Sequence, residues 1–180
     1  MSYLDNSIKI VLLGKTATGK SSLTYRFMNY NAPLDNDPTI EDRYKNTLTI
    51  DGNEYVIEIL DTAGDEDYQN LLYYWIDFGE GFLLVFSITD HESFESIKEK
   101  HDKILKRKKA LKYPMILVGN KQDLEKERKV TFEEAKELAD LWEIEYIETS
   151  ARTGLNCKEA FIELAQRIVS IRKNKDTNMF

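Results

Sequence analysis

A chain of 180 residues with 25 Lys and Arg against 32 Asp and Glu has a formal net charge of −7, which argues against a general nucleic-acid binder with a basic face. Its 42% hydrophobic and 32% charged content is that of an ordinary globular protein, long enough to bury a substantial core. One cysteine excludes an internal disulfide and fits a reducing compartment, and no apolar stretch approaches the ~20 residues needed to cross a bilayer.

The first predicted strand, 7–13, carries Ile8-Lys9-Ile10-Val11-Leu12-Leu13 and leads straight into Gly14-Lys15-Thr16-Ala17-Thr18-Gly19-Lys20-Ser21, a match to G-x-x-x-x-G-K-[ST]. A helix is expected over 20–30. A buried strand, a tight loop and a helix start aim backbone N–H groups and the positive helix end at one place, which suits a polyphosphate. Lys20 would bring a point charge to the outer phosphates, and the Ser21 hydroxyl would ligate Mg²⁺. In isolation the octapeptide also reads as a polar turn ahead of an ordinary helix; the motifs downstream decide between the two.

Strands predicted at 44–50 and 55–61 flank Asp51-Gly52, a strong hairpin signal, so that pair is antiparallel. The second closes on Asp61-Thr62-Ala63-Gly64. An aspartate at a strand's carboxyl end beside a phosphate loop can hold Mg²⁺, usually through water, and Gly64 can bring its N–H close to a terminal phosphate. A helix follows at roughly 68–77, with the apolar run Leu71-Leu72-Tyr73-Tyr74-Trp75, part packed inward and part available to a partner.

The runs at 81–88 and 114–120 are almost continuously apolar, as strands covered on both faces are. Between them a helix at 93–110 is capped from Asp90–Ser93, and its Lys-rich segment reads as a solvated face, with contact to an anionic membrane as the lesser alternative. Asn120-Lys121-Gln122-Asp123 ends the 114–120 strand. A carboxylate is acceptor-only, so Asp123 matches a base edge with two donors, as guanine has in N1–H and its 2-amino group and adenine does not. Such a site rejects the wrong base by ~10⁴-fold or more. The Lys121 stem can lie over the purine ring.

A helix at 131–141, with a Thr131–Glu134 capping box, and a short strand at 145–148 lead to Ser150-Ala151-Arg152, where the Ala151 N–H would recognise guanine O6. The last predicted helix, 156–173, has Cys157 at its start, read as packing. The alternation gives one α/β domain over 1–180, with its core about 7–172 and a short polar C-terminal tail. Its doubly wound, mostly parallel six-stranded sheet carries helices on both faces, and ligands are expected at the carboxyl ends of the strands.

Over residues 7–172 these motifs, in this order, resemble the Ras subfamily of small GTPases. Asp37-Pro38-Thr39-Ile40-Glu41-Asp42-Arg43-Tyr44 resembles the first switch and effector segment of Ras and Rap proteins, and Tyr146-Ile147-Glu148-Thr149-Ser150-Ala151 reads like that subfamily too. The resemblance implies a P-loop GTPase domain that binds GTP and GDP with Mg²⁺ and hydrolyses GTP. Phosphate contacts are implied for Thr16, Ala17, Thr18, Gly19, Lys20, Ser21, Ser22, Pro38, Thr39 and Gly64. Base contacts are implied for Asn120, Lys121, Asp123, Leu124, Ser150, Ala151 and Arg152. Ser21, Thr39 and Asp61 would hold the metal, and Lys20, Thr39, Gly64 and Asp65 would occupy the catalytic positions. Thr39 and Gly64 would order two switch segments only with GTP. Effectors would be sensed at Ile40, Glu41, Asp42 and Tyr44 on an exposed edge strand, with exchange factors and activating proteins as further partners.

The chain departs from the family in three places. The water-orienting glutamine is Asp65, which cannot donate an amide hydrogen bond and adds negative charge near an anionic γ-phosphate. Two usual glycines are Thr16 and Ala17, and a β-branched Thr16 would crowd an incoming arginine finger, worth ~10³–10⁵ in rate to Ras enzymes. The aromatic expected against guanine aligns with Ala32, and the tyrosine over the phosphates with Asn36; Tyr30 would have to substitute by a local shift that Pro33 restrains.

The expected consequences are slow intrinsic hydrolysis, weak response to activating proteins and fast GDP release. A hydrolysis-deficient, largely GTP-bound signalling scaffold is the alternative. An ATP-dependent small-molecule kinase is disfavoured by Asn120, Asp123 and Ser150-Ala151. A monomer is expected, with no nucleic-acid partner. The terminal Thr177-Asn178-Met179-Phe180 has no prenylation box, so membrane attachment is not supported by this chain. The expected location is the cytoplasm, or the cytoplasmic face of a membrane if a lipidated tail has been removed.

Overall fold

Residues 6–30, 40–64 and 68–177 are described by a computed structural model. Alternation of side chains along apolar strands builds two cores from one sheet. In β1 (Ser7–Leu13), Ile8, Ile10 and Leu12 enter one core while Val11 and Leu13 enter the other. β4 (Gly81–Ser87) and β5 (Met115–Asn120), buried throughout, divide the same way: Leu83, Val85, Ile116 and Val118 on one side, Phe82, Leu84, Phe86, Met115 and Leu117 on the other.

With β2 (Glu41–Ile50), β3 (Asn53–Thr62) and β6 (Glu145–Glu148), these strands form a six-stranded sheet in the order β2-β3-β1-β4-β5-β6. Only the β2–β3 pair is antiparallel. Its turn has Asp51 at φ 51° and Gly52 at φ 79°, as a two-residue hairpin following the twist of its strands requires.

Helices cover both faces. α1 (Lys20–Met28) and α5 (Cys157–Thr177) bury Leu23, Phe27, Phe161, Leu164 and Ile168 in the first core, and Phe27 stacks on Phe161 with centroids 4.4 Å apart. α2 (Gln69–Phe78), α3 (His91–Lys108) and α4 (Phe132–Leu141) supply Trp75, Ile76, Phe94, Ile97, Ile104 and Ala135 to the second. This is the doubly wound, mostly parallel α/β sheet that the strand–helix alternation predicts. Among the described residues no helix is long and apolar enough to cross a membrane.

Most boundaries shift by a residue or two; two larger differences and one additional element have identifiable causes. β2 begins at Glu41, three residues before 44, because Glu41, Asp42 and Arg43 pair with Thr62, Asp61 and Leu60 through the backbone despite their polar side chains. α5 runs on to Thr177, so the expected polar tail is helical as far as that residue. Arg172 donates to the Ser7 carbonyl at 2.6 Å and Lys173 to Asp51 at 2.7 Å, anchoring turns that present no apolar stripe. A short 3₁₀ segment, Gln122–Glu127, follows Lys121, whose φ is 69°. Of the two predicted caps, Asp90 accepts from the Glu92 N–H at 3.1 Å and Thr131 from the Glu134 N–H at 3.1 Å. The reciprocal half of the second box is missing, as the Glu134 carboxylate bonds His91 at 2.8 Å instead.

Because β1, β3, β4, β5 and β6 are mutually parallel, their carboxyl ends share one edge of the sheet. The loop after Leu13, Asp61, Asn120 and Ser150 are all delivered there.

Candidate functional site

α1 opens without a side-chain cap from its N-cap residue: Gly19, at φ 94°, occupies that position and has no side chain to offer the first turn. Uncapped N–H groups at the positive end of a helix are a ready anion site. Only glycine fits at 19, since a Cβ would lie 2.2 Å from the Asn120 amide nitrogen. Lys20 is 6% exposed, and its ammonium bonds the carbonyls of Gly14 and Lys15, both at 3.1 Å. Thr18 is buried and bonds the Lys15 carbonyl at 2.9 Å, bracing the loop. Thr16 and Ala17 are exposed at its crest, and Ala17 takes φ 63°, a left-handed conformation that strains a residue with a Cβ.

Beside the loop, Ser21 Oγ donates to Asp61 Oδ2. Asp61 is fully buried, and its Oδ1 is the one buried side-chain oxygen or nitrogen among the described residues without a hydrogen-bond partner. Burial pushes the Asp61 carboxyl up to about 6, against the Ser21 bond and the Lys20 charge. Burial likewise pulls Lys20 down to about 8, against the attraction of Asp61. Both shifts mean that a buried cation and a buried anion are under-compensated within the protein. A phosphate on the first and a divalent cation by the second would compensate both. The residues present therefore fit Mg²⁺: Ser21 Oγ and the orphaned Asp61 oxygen are hard ligands of the kind it takes.

Gly64 closes against this loop. A Cβ there would stand 2.0 Å from the Thr16 nitrogen and 2.3 Å from the Lys15 carbonyl carbon, so the D-T-A-G turn touches the phosphate loop directly.

The other end of the cleft is a cavity of about 540 Å³ lined by Gly19, Ser22, Tyr25, Arg26, Tyr30, Asn120, Lys121, Asp123, Leu124, Ala151 and Arg152. Asn120, 2% exposed, joins three segments. Its amide donates to the Thr18 carbonyl at 2.8 Å, and its Oδ1 accepts from Thr149 Oγ1 at 3.1 Å and the Ala151 N–H at 3.3 Å. Asp123 accepts from Ser150 Oγ at 2.6 Å, with the Arg152 guanidinium 3.9 Å away. One carboxylate oxygen is thereby fixed by a neighbour, and the side chain faces the cavity that Lys121 and Ala151 also line.

The structure thus gathers Lys20, Ser21, Asp61, Gly64, Thr16, Ala17 and Thr18 at one end, and Gly19, Ser22, Asn120, Lys121, Asp123, Leu124, Ser150, Ala151 and Arg152 at the other. Ala32, Asn36, Pro38, Thr39 and Asp65 lie outside the described residues. Tyr30 is 54% exposed and lines the base-end cavity. Ile40, just before the outer strand, is 51% exposed and Asp42 on that strand is exposed, whereas Tyr44 is half-buried with its ring edge-on to Tyr25 at 5.9 Å. A second grouping of ligand-type side chains, His91, Glu95 and Glu134, is taken up in contacts of its own: Glu95 pairs with Lys98 at 2.9 Å and His91 hydrogen-bonds Glu134 at 2.8 Å.

Sequence reasoning missed Arg26, whose guanidinium reaches the carbonyls of Ala151 and Arg152, and Arg128, which bonds Glu148 at 2.7 Å and Glu125 at 2.6 Å and braces the 3₁₀ segment carrying Asp123. No local motif marks either residue. Their partners are carbonyls or carboxylates 125 and 20 positions away for Arg26–Ala151 and Arg128–Glu148.

A glycine-rich phosphate loop, an aspartate under it, and a base cavity walled by Asn-Lys-x-Asp on a doubly wound sheet define a P-loop small GTPase. The Ras family model matches residues 9–170. Rat Ras-related protein Ral-B is 44% identical over 173 residues, covering 94% of this chain and 84% of that protein. Ras-like protein RAS2 of Hydra vulgaris is 44% identical over 170 residues, covering 94% and 88%. The chain belongs to the Ras family, whose members are GTP-binding, GTP-hydrolysing switches.

Proposed function

We propose that this chain binds GTP and GDP in the cleft between the phosphate loop and the Asn120–Asp123 segment, hydrolyses GTP slowly, and engages effectors along β2. The observation carrying this reading is the Asn120 amide bonded to Thr18 at 2.8 Å, which fixes the spacing between a phosphate loop and a cavity carrying an acceptor-only carboxylate. Lys20 would pair with the β- and γ-phosphates, first-turn N–H groups of α1 would cradle them, and Ser22 would approach the α-phosphate side of the cavity. Asp123 would take the guanine N1–H and 2-amino group, Lys121 and Leu124 would cover the ring, and Ser150, Ala151 and Arg152 would wall its O6 side. Ser21, Asp61 and Thr39 would hold Mg²⁺, which supplies neutralisation of phosphate charge when bound. Gly64, and Thr39 with Pro38 beside it, would sense the γ-phosphate.

Slow hydrolysis rests on Asp65 and Thr16. The contact of Gly64 with the Thr16 backbone supports it, because it sets Thr16 against the D-T-A-G turn that leads in sequence to residue 65. Single-turnover hydrolysis tests this: Thr16→Gly with Asp65→Gln accelerates the reaction at least tenfold, while a wild-type rate that collapses on Asp65→Ala contradicts impairment at this site. The scaffold reading differs only in degree, and the nucleotide on freshly purified protein separates the two: GDP marks turnover and GTP marks a stalled site.

Effector recruitment at Ile40, Glu41, Asp42 and Tyr44, by strand addition to β2, is supported by the exposure of Asp42 on the outer strand of the sheet and of Ile40 just before it. Exchange factors and activating proteins belong to the same proposal, as does action as one monomeric domain. The buried free thiol of Cys157 suits the cytoplasm, where we place the protein.

A further inference from the structure

We infer that Arg26 is a positioning residue for the nucleobase: it fixes the Ser150-Ala151-Arg152 turn against α1, and so sets how tightly and how selectively the O6 side of guanine is held. The inference deepens the reading above and rests on it. Arg26 stands in the last turn of α1, where a cation complements the helix dipole and the sequence gives no other reason for it. Its guanidinium does more than that. Nε donates to the Ala151 carbonyl and Nη2 to the Arg152 carbonyl, each at 2.6 Å, across 125 and 126 residues of chain.

Two consecutive carbonyls held by one planar fork lose their freedom to rotate, because the donors are rigidly spaced. The other ties on this turn come from different directions. Cys157 Sγ donates to the Ser150 carbonyl at 3.2 Å, and the Gly154 N–H to the same carbonyl at 2.8 Å. The Ala151 N–H meets Asn120 at 3.3 Å, a long bond that orients the group weakly. These ties hold Ser150 and the N–H of Ala151. Among the described residues, the carbonyls of Ala151 and Arg152 are held by Arg26.

α1 also carries Lys20 and Ser21 at its opposite end. A single rigid helix therefore spans the site, with phosphate contacts in its first turn and the base-side turn clamped from its last. Arg26 itself lines the cavity beside Tyr25 and Tyr30. A lysine cannot replace it, since one ammonium does not reproduce two coplanar donors.

The experiment measures dissociation of three diphosphates from Mg²⁺-loaded wild type, Arg26→Ala and Arg26→Lys: GDP, inosine diphosphate and 2-aminopurine riboside diphosphate. Inosine keeps O6 and N1–H but lacks the 2-amino group facing Asp123. 2-Aminopurine keeps the amino group and lacks both O6 and N1–H. Arg26→Ala raises the GDP off-rate about tenfold, equivalent to about 1.4 kcal/mol. It also shrinks the 2-aminopurine-to-GDP off-rate ratio by about the same factor while leaving the inosine-to-GDP ratio unchanged. Arg26→Lys falls between the two. A uniform rise for all three ligands marks a merely structural role and overturns the inference, as does an unchanged GDP off-rate. A wild-type protein that binds none of the three overturns the nucleotide reading itself, and the inference with it.

Discussion

The indole N–H of Trp75 donates to Glu41 Oε2 at 2.8 Å, tying α2 to the first residue of the sheet's outer strand. Glu41 Oε1 meanwhile accepts from Arg43 at 3.1 Å, and the Arg43 guanidinium lies 5.0 Å from the Phe78 ring centroid and bonds the Tyr74 hydroxyl. The two segments expected to respond to the γ-phosphate are therefore linked by side chains, and Glu41 meets a partner only in company with Trp75 and Arg43.

Trp75→Phe keeps the aromatic bulk and deletes the donor. The loss should be about 1 kcal/mol, a fall of roughly 2–4 °C in melting temperature. Trp75→Ala, at a site 3% exposed, should cost roughly 3–5 kcal/mol. Thermal unfolding of both variants checks the order; a Trp75→Phe variant as stable as wild type would mean that the hydrogen bond contributes nothing beyond packing.

Ala17 holds φ 63° in the phosphate loop. Ala17→Gly relieves that strain and should stabilise the folded protein by about 1 kcal/mol despite the extra entropy of the unfolded glycine. Urea denaturation measures it, and a destabilised variant would show that the loop carries no strain at this residue.

The acid limb of stability is set in part by Asp61. Its folded carboxyl titrates at about 6 against an ordinary 3.8, so the folded protein binds this proton more tightly than the unfolded chain. The contribution is therefore complete below pH ~4 and lost as pH rises through about 6, on the order of 3 kcal/mol in all. Lys20 runs the other way. At about 8 against 10.5 it releases its proton early, so its contribution grows as pH climbs from about 8 towards 10.5. Urea titrations in chelator, without nucleotide, should show wild type losing stability relative to Asp61→Asn between pH 4 and 6.5. A constant difference across that window contradicts the assignment.

Asn120→Ala strands the Thr18 carbonyl, Thr149 Oγ1 and the Ala151 N–H together. At a site 2% exposed this should cost roughly 2–4 kcal/mol and speed GDP release by about a hundredfold, because both ends of the cleft lose their common tie. Release rates that change less than threefold would show that the ends are spaced independently.

Most of the frame was legible because local signals agreed with the global fold. Runs such as Phe82–Phe86 and Ile116–Val118 could only be strands covered on both sides, and Asp51-Gly52 could hardly be anything but a hairpin turn. The start of β2 was not legible, since Glu41–Arg43 are polar and their pairing is a backbone matter. The final turn of α5, 174–177, was missed for a related reason: its residues are polar, and the bonds that anchor the helix just before it run from Arg172 and Lys173 to Ser7 and Asp51, far off in the chain. In the site, residues within motifs were found and residues that position motifs were not. Arg26 and Arg128 act on other elements through single side chains, and such contacts leave no periodicity or spacing to read.

The most direct test of the whole account is calorimetric titration of nucleotide-stripped protein with GDP and with ADP, both in Mg²⁺. Asp123 faces a cavity wide enough for a purine, so GDP should bind at least ~10⁴-fold more tightly than ADP, and Asp123→Ala should remove most of that preference. Equal affinities for GDP and ADP in the wild-type protein would contradict the account at its centre.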